Sequence, residues 1–562
     1  MYHILIATGA LALSLSLMGS CTGLWEPGSE RPGFKQDLRS EYLQIPSAYI
    51  PPQCYTRTQD RSGKVHNPCF TCHTESEAPN FINDADLQLE YSFAAPATQN
   101  PWTNLFVDRR QAVAETPDQD IDLYVSEDNY FASKNNIELA QVLAEVPSLW
   151  DQDKNNRWDG YTPDCYFNFD AEGFDRKPDN TLSGWRAFAY APFPGTFWPT
   201  NGSAGDVLIR LPTPFRQDNH GAASQKIYQI NLAIVEALIT RRDVPFASTN
   251  EKTIGVDLDK NGKLTTATHI TYLWEPLRGI DMSYVGLAGL QQRQGQQQLA
   301  AGLYPLGTEF LHSVRYLQVN QDQSIGMAPR MKELRYSRKT RWKSYAQLEM
   351  LAASEAREKN AFPDRLRALL GSYERGVDNG QGWIYQGFIE DAAGYLRPQS
   401  FQESVACLGC HSGIGATTDS SFAFARKLDS SHYGQGWFHW NQRGFTGIRE
   451  PIRRDGEGEY LYYLQHNASG NEYRTNPEVM GQFFDKRGEL RKEAADTLEK
   501  DISRLLLPSA PRARRLNKAY RLIVLEQGFI YGRDASMEVT ETVHRQVSTG
   551  TPTGIQQAHS GI

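Results

Sequence analysis

The sequence has none of the short motifs that mark several large enzyme classes. No Walker loop, dinucleotide-binding fingerprint or nucleophile elbow occurs in its 562 residues. A formal net charge of −8 argues against nucleic acid as a partner. Apart from one N-terminal run, no stretch approaches the ~20 apolar residues of a membrane-spanning helix. The composition is otherwise that of a globular protein with a sizeable core, so its function must be read from smaller features.

Cysteine is scarce, and four of the seven cysteines belong to two copies of one pattern. The first motif is Cys69-Phe-Thr-Cys72-His73, and the second motif is Cys407-Leu-Gly-Cys410-His411. Each reads C-x-x-C-H, which is typical of covalent haem attachment. Two thiols one helical turn apart can bind one haem, and the following His can bind its iron. A redox dithiol or half a zinc site would fit the first four residues, but neither accounts for the His.

The two motifs and their flanks resemble those of bacterial dihaem c-type cytochromes. The resemblance implies two covalently bound haems and the carriage of electrons to or from redox partner proteins. An alternative is a dihaem peroxidase or oxygenase, in which one haem is the reaction site. A third interpretation is a binding or structural lipoprotein. The haem-binding residues that the motifs predict are Cys69, Cys72, His73, Cys407, Cys410 and His411.

The second axial ligand of each iron is much less marked in the sequence. For the second haem, Met480 lies at a spacing similar to that of small His/Met cytochromes, and His439 and His432 are competitors. The first haem has no assigned second ligand and is equally consistent with an open position. Its candidates are His220, His269, His312, Met327 and Met331.

The N-terminus predicts export and a lipid anchor. Ile4–Met18 is an apolar run of the length of a signal-peptide core, and it ends at Met18-Gly-Ser-Cys21. This resembles a bacterial lipobox, which implies cleavage after residue 20 and a lipid on Cys21. The predicted location is the periplasm or the outer membrane. In that oxidising compartment, the two remaining cysteines, Cys54 and Cys165, are predicted to form a disulfide.

One loop predicts a calcium site. Asp257, Asp259 and Asn261, followed by Gly262, match the first half of an EF-hand loop, although Thr268 stands where the bidentate Glu is expected. The alternative is a plain hairpin turn at Asn-Gly. A basic segment, residues 330–343, is interpreted either as a solvated face or as a surface that pairs haem propionates or an acidic partner.

The expected fold class is α+β, with helical haem regions at both ends of a β-rich middle region. A helix is predicted over residues 225–241, where apolar residues recur at helical spacing. The tail is polar and rich in Gly, which predicts disorder. The predicted organisation is a signal peptide (1–20), a tether (21–50), a first haem region (51–150), a β-rich region (151–345), a helical second haem region (346–544) and a disordered tail (545–562).

Overall fold

The computed structural model describes residues 38, 42–60, 63–80, 84–467 and 476–559. The predicted signal peptide and Cys21 lie outside the described residues. The end of the predicted tether is described and is packed against the body of the protein. Gln44 donates its backbone N–H to the side-chain oxygen of Gln402 at 2.7 Å, and Ala48 is buried.

A central sheet of 10 strands organises the described part of the chain. Its strands pair antiparallel in the order β13-β14-β15-β12-β11-β8-β6-β5, while β16 pairs with β15 and β7 with β11. Three further pairs, β1 with β2, β3 with β4 and β9 with β10, form small separate sheets. The strands in the described ranges are β1 (Thr58–Gln59), β2 (Val65–His66), β3 (Phe131–Ser133), β4 (Asn136–Ile137), β5 (Phe174–Arg176), β6 (Leu182–Phe188), β7 (Ala204–Gly205), β8 (Val207–Arg210), β9 (Val244–Asn250), β10 (Thr266–Ile270), β11 (Glu309–Val319), β12 (Ile325–Lys339), β13 (Leu370–Ser372), β14 (Gly376–Asp378), β15 (Trp383–Glu390) and β16 (Leu396–Pro398).

Helices cover the sheet and the loops around it. The α-helices in the described ranges are α1 (Arg110–Glu115), α2 (Asp118–Ser126), α3 (Glu138–Ala144), α4 (Gln225–Thr240), α5 (Gly286–Arg293), α6 (Tyr345–Ala361), α7 (Phe401–Val405), α8 (Cys407–Cys410), α9 (Glu459–His466), α10 (Pro477–Phe483), α11 (Lys492–Leu498), α12 (Ser503–Leu506) and α13 (Ala510–Glu526). None of these helices has the length and apolar character needed to cross a membrane.

The predicted helix at residues 225–241 is confirmed as α4. The Ser224 side chain caps its N-terminus by accepting from the Ile227 N–H at 3.3 Å. Ile230, Ile234 and Leu238 are buried with most of the helix in the main apolar cluster. Because α4 is apolar on nearly every face, it is enclosed by other elements instead of lying at the surface.

The basic segment at residues 330–343 is not a solvated face, because most of it forms β12 in the middle of the central sheet. Two of its charged side chains are paired inside the protein. The Arg330 guanidinium contacts Glu390 at 2.8 Å, and the Lys339 ammonium contacts Asp419 at 2.6 Å, with both pairs buried. Buried pairs of this kind satisfy charges that the sequence pattern alone assigns to solvent.

The expected fold class is wrong. The molecule is a mixed α/β structure built on one large sheet, and helical haem regions are not found at the described ends. Strands β13 to β16 come from the region predicted to be helical and extend the central sheet. Helix α6 and helix α13 form where helical spacing occurs, but neither carries a motif.

The tail that was predicted to be disordered is packed against the first haem region as far as residue 559. Bridges pair Gln546 with Gln99 and Pro552 with Glu90. The Thr553 N–H donates to the Leu89 carbonyl at 3.1 Å. A polar, Gly-rich segment therefore becomes ordered here through backbone pairing with a neighbouring loop, a long-range contact that composition does not reveal.

Candidate functional site

The two C-x-x-C-H motifs lie side by side although they are far apart in the sequence. The loop that follows His411 runs along the first motif, and its Ala416 N–H donates to the Cys72 carbonyl at 3.1 Å. The Asn80 side chain donates to the Ile414 carbonyl of the same loop at 2.6 Å. The first motif and the loop that follows the second thus form one continuous region of the molecule.

Two glycines allow this close approach. A Cβ on Gly409, inside the second motif, would fall closer to the Tyr49 carbonyl oxygen than the 3.0 Å that real Cβ atoms keep. A Cβ on Gly415 would overlap the Thr74 backbone in the same way. Only glycine leaves room for backbone to pack on backbone at these positions.

The first motif lies on a short 3-10 turn, Pro68–Thr71. The Asn67 side chain caps this turn by accepting from the Cys69 N–H at 3.1 Å. His73 Nδ1 contacts a carboxylate oxygen of buried Asp84 at 2.8 Å. The other Asp84 oxygen accepts from the Gly415 N–H at 3.3 Å, so that this carboxylate joins the first motif to the loop that follows the second.

The second motif forms the single turn α8, directly after α7. Ser400 and Glu403 form a capping box at the start of α7. His411 Nδ1 lies 3.1 Å from the Ser420 carbonyl oxygen, and since a carbonyl only accepts, Nδ1 must carry the proton. Burial is the main cause that lowers the pKa of His411 to about 4, which leaves a neutral imidazole with Nε2 as its basic nitrogen.

The residues of both motifs fit a covalently held haem. Each pair of thiols lies on one turn, and each His has its Nδ1 engaged by the protein, as metal-bound histidines usually do. Burial raises the pKa of Cys72 well above its usual value, and the charge of Cys410 would raise it further. That coupling agrees with the closeness of the two motifs. The four thiols are partly accessible and are therefore not closed off by packing.

The second motif faces the central sheet. The ring of Tyr385, on β15, lies 4.8 Å from the His411 ring, and that of Phe422 lies 5.6 Å from it. Arg335, on β12, pairs with Glu333 at 3.0 Å and keeps 36% of its side-chain surface accessible. An arginine in the middle of a large sheet keeps that much accessible surface only where the sheet face is not packed shut.

His439 and Met480, the residues predicted as second axial ligand of the second haem, lie in different surroundings. His439 is buried, with Nε2 2.8 Å from an Asp206 oxygen and Nδ1 accepting from the Asn441 N–H at 3.1 Å. Both its nitrogens are engaged within the protein, which favours a structural role. Met480, on α10, is partly buried against an apolar cluster that includes Phe70. Its role as a ligand stays a prediction.

Sequence reasoning missed a histidine pair beside the first motif. The His559 ring lies 4.7 Å from Phe70 and 5.2 Å from the His466 ring. The Tyr462 hydroxyl contacts His559 Nδ1, and the Gln88 side chain bridges the carbonyls of His73 and His559. Only the ordering of the tail brings His559 here, and no local sequence signal indicates it.

The predicted disulfide between Cys54 and Cys165 is absent from the structure, where both cysteines are free. Cys165 is buried in the apolar cluster around Trp185. Cys54 packs in a different cluster with Ala406, next to the second motif, and its pKa is raised first by burial and then by the charges of Cys69 and Cys410. A bridge cannot form between thiols that lie in separate cores.

The predicted calcium loop gains a carboxylate from outside it. Glu251, Asp257 and Asp259 each place an oxygen within 4.8 Å of the others. Glu251 is fully buried and accepts from the backbone N–H groups of Leu258 and Thr265. Asn261 instead donates to Asp259 at 3.0 Å. A second group of three carboxylates, Asp151, Asp153 and Glu374, also has its oxygens within 4.8 Å of one another. In that group Asp153 is already paired with Arg375, at 2.7 Å.

Comparison with known proteins identifies the family. Residues 39–500 match a family model whose description reads "-like lipoprotein". The chain belongs to this lipoprotein family. A protein of Aquifex aeolicus (strain VF5) named "Uncharacterized lipoprotein" is 30% identical over 572 residues, which cover 93% of this chain and 91% of that protein. No solved structure matches the chain.

The family corrects one prediction and supports another. The expected membership of a c-type cytochrome family is wrong, because the matching family is one of lipoproteins. The coarser prediction of an exported, lipid-anchored protein is confirmed by that membership. A short attachment motif describes a site and not the fold that carries it.

Proposed function

We propose that this lipoprotein holds two covalently attached haems, one on each motif, and passes electrons to or from a redox partner protein. The observation that carries the proposal is the packing of the loop after the second motif onto the first motif, above all the hydrogen bond from the Ala416 N–H to the Cys72 carbonyl. Groups attached to adjoining motifs are close enough to exchange electrons, whereas an assembly role alone gives no reason for the two sites to meet. Bound haem iron supplies one-electron redox chemistry.

The protein's own residues orient and shield the two sites. Asp84 holds His73 through Nδ1, and the Ser420 carbonyl holds His411 in the same way. Such partners fix the ring orientation and raise the basicity of the free nitrogen. Asp84 also accepts from the Gly415 N–H, so it ties His73 to the loop that follows the second motif. Burial and hydrogen bonding of this kind are the means by which a protein sets a haem potential.

We place the protein at the outer membrane, or otherwise in the periplasm, with its lipid on Cys21. Thr22 follows that cysteine where retention at the inner membrane would favour Asp, and this resembles the bacterial sorting pattern. Gln44, near the start of the described chain, is bonded to Gln402 of the body.

Haem counting tests the proposal. The full chain, produced in a bacterium that attaches c-type haem, is expected to carry two haems per chain by intact mass and by pyridine haemochrome absorbance. The variants Cys69→Ser/Cys72→Ser and Cys407→Ser/Cys410→Ser should each retain one, since a haem without thioether bonds is lost on denaturation. Cys54→Ser, beside the motifs but outside them, is the matched control and should retain two.

Two results would contradict the proposal. One is a wild-type chain without covalent haem, and the other is a motif variant that keeps both. A haem-loaded protein that reacts rapidly with peroxide and oxidises a reporter dye would instead favour the peroxidase alternative. Reversible reduction and oxidation without such turnover supports electron carriage.

We also propose that calcium binds the loop at Asp257 and Asp259, with Glu251 supplying the carboxylate that position 12 of the loop lacks. One Asp257 oxygen is buried and has no hydrogen-bond partner among the described residues. Calcium is expected to raise the melting temperature of the chelator-treated protein. A ligand at about 100 times its Kd stabilises by about 2.7 kcal/mol.

The matched variants separate the two acidic groups. Asp257→Asn/Asp259→Asn should abolish the calcium-dependent rise in melting temperature. Asp153→Asn, which changes the group already paired with Arg375, should leave that rise unchanged. An equal rise in both variants, or no rise in the wild type, counts against this site.

A further inference from the structure

His312 is an enclosed histidine without a hydrogen-bond partner. It lies in the middle of β11, inside the central sheet, and is only partly accessible. Within the described part of the chain, neither of its ring nitrogens makes a hydrogen bond. No described protein group occupies these nitrogens, so they are available to a ligand.

Strand pairing places His312 on the face that the second motif covers. His312 pairs directly with Arg335 of β12, and Phe310, two residues earlier, pairs with Ser337, which in turn pairs with Tyr385. Paired residues and residues two apart share one face of a sheet. His312 therefore lies on the same face as Tyr385, whose ring contacts His411.

The space beside this face is shaped for the imidazole. A Cβ on Gly205, of the neighbouring strand β7, would come within 3.0 Å of His312 Nε2. Tyr190 lies on the other side, with its ring 6.3 Å from the His312 ring. The accessible surface of Arg335, the direct neighbour of His312, shows that room remains above the sheet.

We propose that His312 is the second axial ligand of the haem held by the second motif. The inference rests on the proposed function. A sheet histidine and a motif histidine would bind the iron from opposite sides, and bis-His ligation would leave this haem without an open position. His312 is favoured over His439, because both nitrogens of His439 are engaged. It is favoured over Met480, which packs in the cluster around Phe70 of the other motif.

The histidine is in a state that can bind iron. Burial, followed by the positive charge of Arg335, lowers the pKa of His312 to about 4, and the charge of His411 acts in the same direction. The imidazole is therefore neutral at physiological pH, which is the ligating form.

Spectroscopy of the loaded full chain tests the ligand. His312→Ala is expected to keep two covalent haems while one of them changes from low spin to high spin in the ferric optical and paramagnetic resonance spectra. Added imidazole should restore the low-spin state, since it replaces the missing side chain. His312→Met should keep low spin but raise the potential of one haem, because Met ligation favours the reduced form.

Controls separate this inference from the proposed function. Met480→Ala and His439→Gln should leave both spectra unchanged, and circular dichroism should show that each variant is folded. If the spin states of His312→Ala are those of the wild type, or if Met480→Ala alone converts the second haem to high spin, the ligand assignment is overturned while the haem proposal stands. A wild-type chain without covalent haem would overturn both.

Discussion

Gly409→Ala is expected to destabilise the folded protein by roughly 1–3 kcal/mol, the cost of overpacking a close contact. The added Cβ would collide with the Tyr49 carbonyl oxygen and approach the Pro51 ring. Backbone cannot rotate away as a flexible side chain can, so α8 must move off residues 49–51. Because those residues lead into the first motif, the shift should also loosen the contact between the motifs. Urea denaturation measures the change in the free energy of unfolding.

The control is a helical glycine that touches nothing. Gly481 lies in α10, and a Cβ there would meet no atom within 4 Å. Gly481→Ala should therefore be neutral or stabilise by about 0.5–1 kcal/mol, since alanine costs less backbone entropy in a helix. Equal stability of Gly409→Ala and the wild type would show that the close approach does not constrain the second motif.

Glu403→Gln is expected to cost about 3–5 kcal/mol, because it leaves a buried arginine without its charged partner. Glu403 and Arg397 form a two-pronged pair at 2.9 Å for each contact, with side chains 2% and 0% exposed. Glu403 also closes the capping box of α7, which leads directly into the second motif. The exposed pair Arg365–Glu358 is the control, and Glu358→Gln should change the free energy of unfolding by less than about 0.5 kcal/mol.

The pH dependence of this loss has a definite sign. Burial acts to raise the pKa of Glu403, but the nearby Arg397 and its hydrogen bonds outweigh burial and leave the pKa below its ordinary value. A lowered folded-state pKa contributes stability above the unfolded value of ~4.3, which is lost as the pH falls through the folded value. The difference between wild type and Glu403→Gln should therefore shrink on acidification. A difference that stays constant down to about pH 3 would contradict this account.

Predictions from the sequence succeeded where the signal is local. Helix α4 depends on apolar residues that recur over a few turns, and their spacing alone defines it. The expected fold class is wrong, because the C-x-x-C-H motifs do not bring a helical fold with them. A motif of five residues fixes how a haem can be attached, but it says nothing about the elements around it.

Other predictions failed where a long-range contact decides. The basic segment became β12, because strand pairing set its charges against Glu390 and Asp419 inside the sheet. The tail became ordered through pairing with residues 89–99, and Cys54 and Cys165 were separated into different cores. None of these contacts can be recognised from the spacing of residue types along the sequence.

By itself, the sequence determined the two C-x-x-C-H motifs, on which the haem proposal depends, since the types and spacing of two cysteines and a histidine define them. Only the tertiary structure decided that the loop after the second motif packs on the first, that Asp84 joins the two, and that His312 lies on the sheet face that meets His411. The physical reason is that these facts depend on which strands pair and where backbone packs on backbone, as at Gly409 and Gly415. Such contacts join residues far apart in the chain, and their register is set by the whole core.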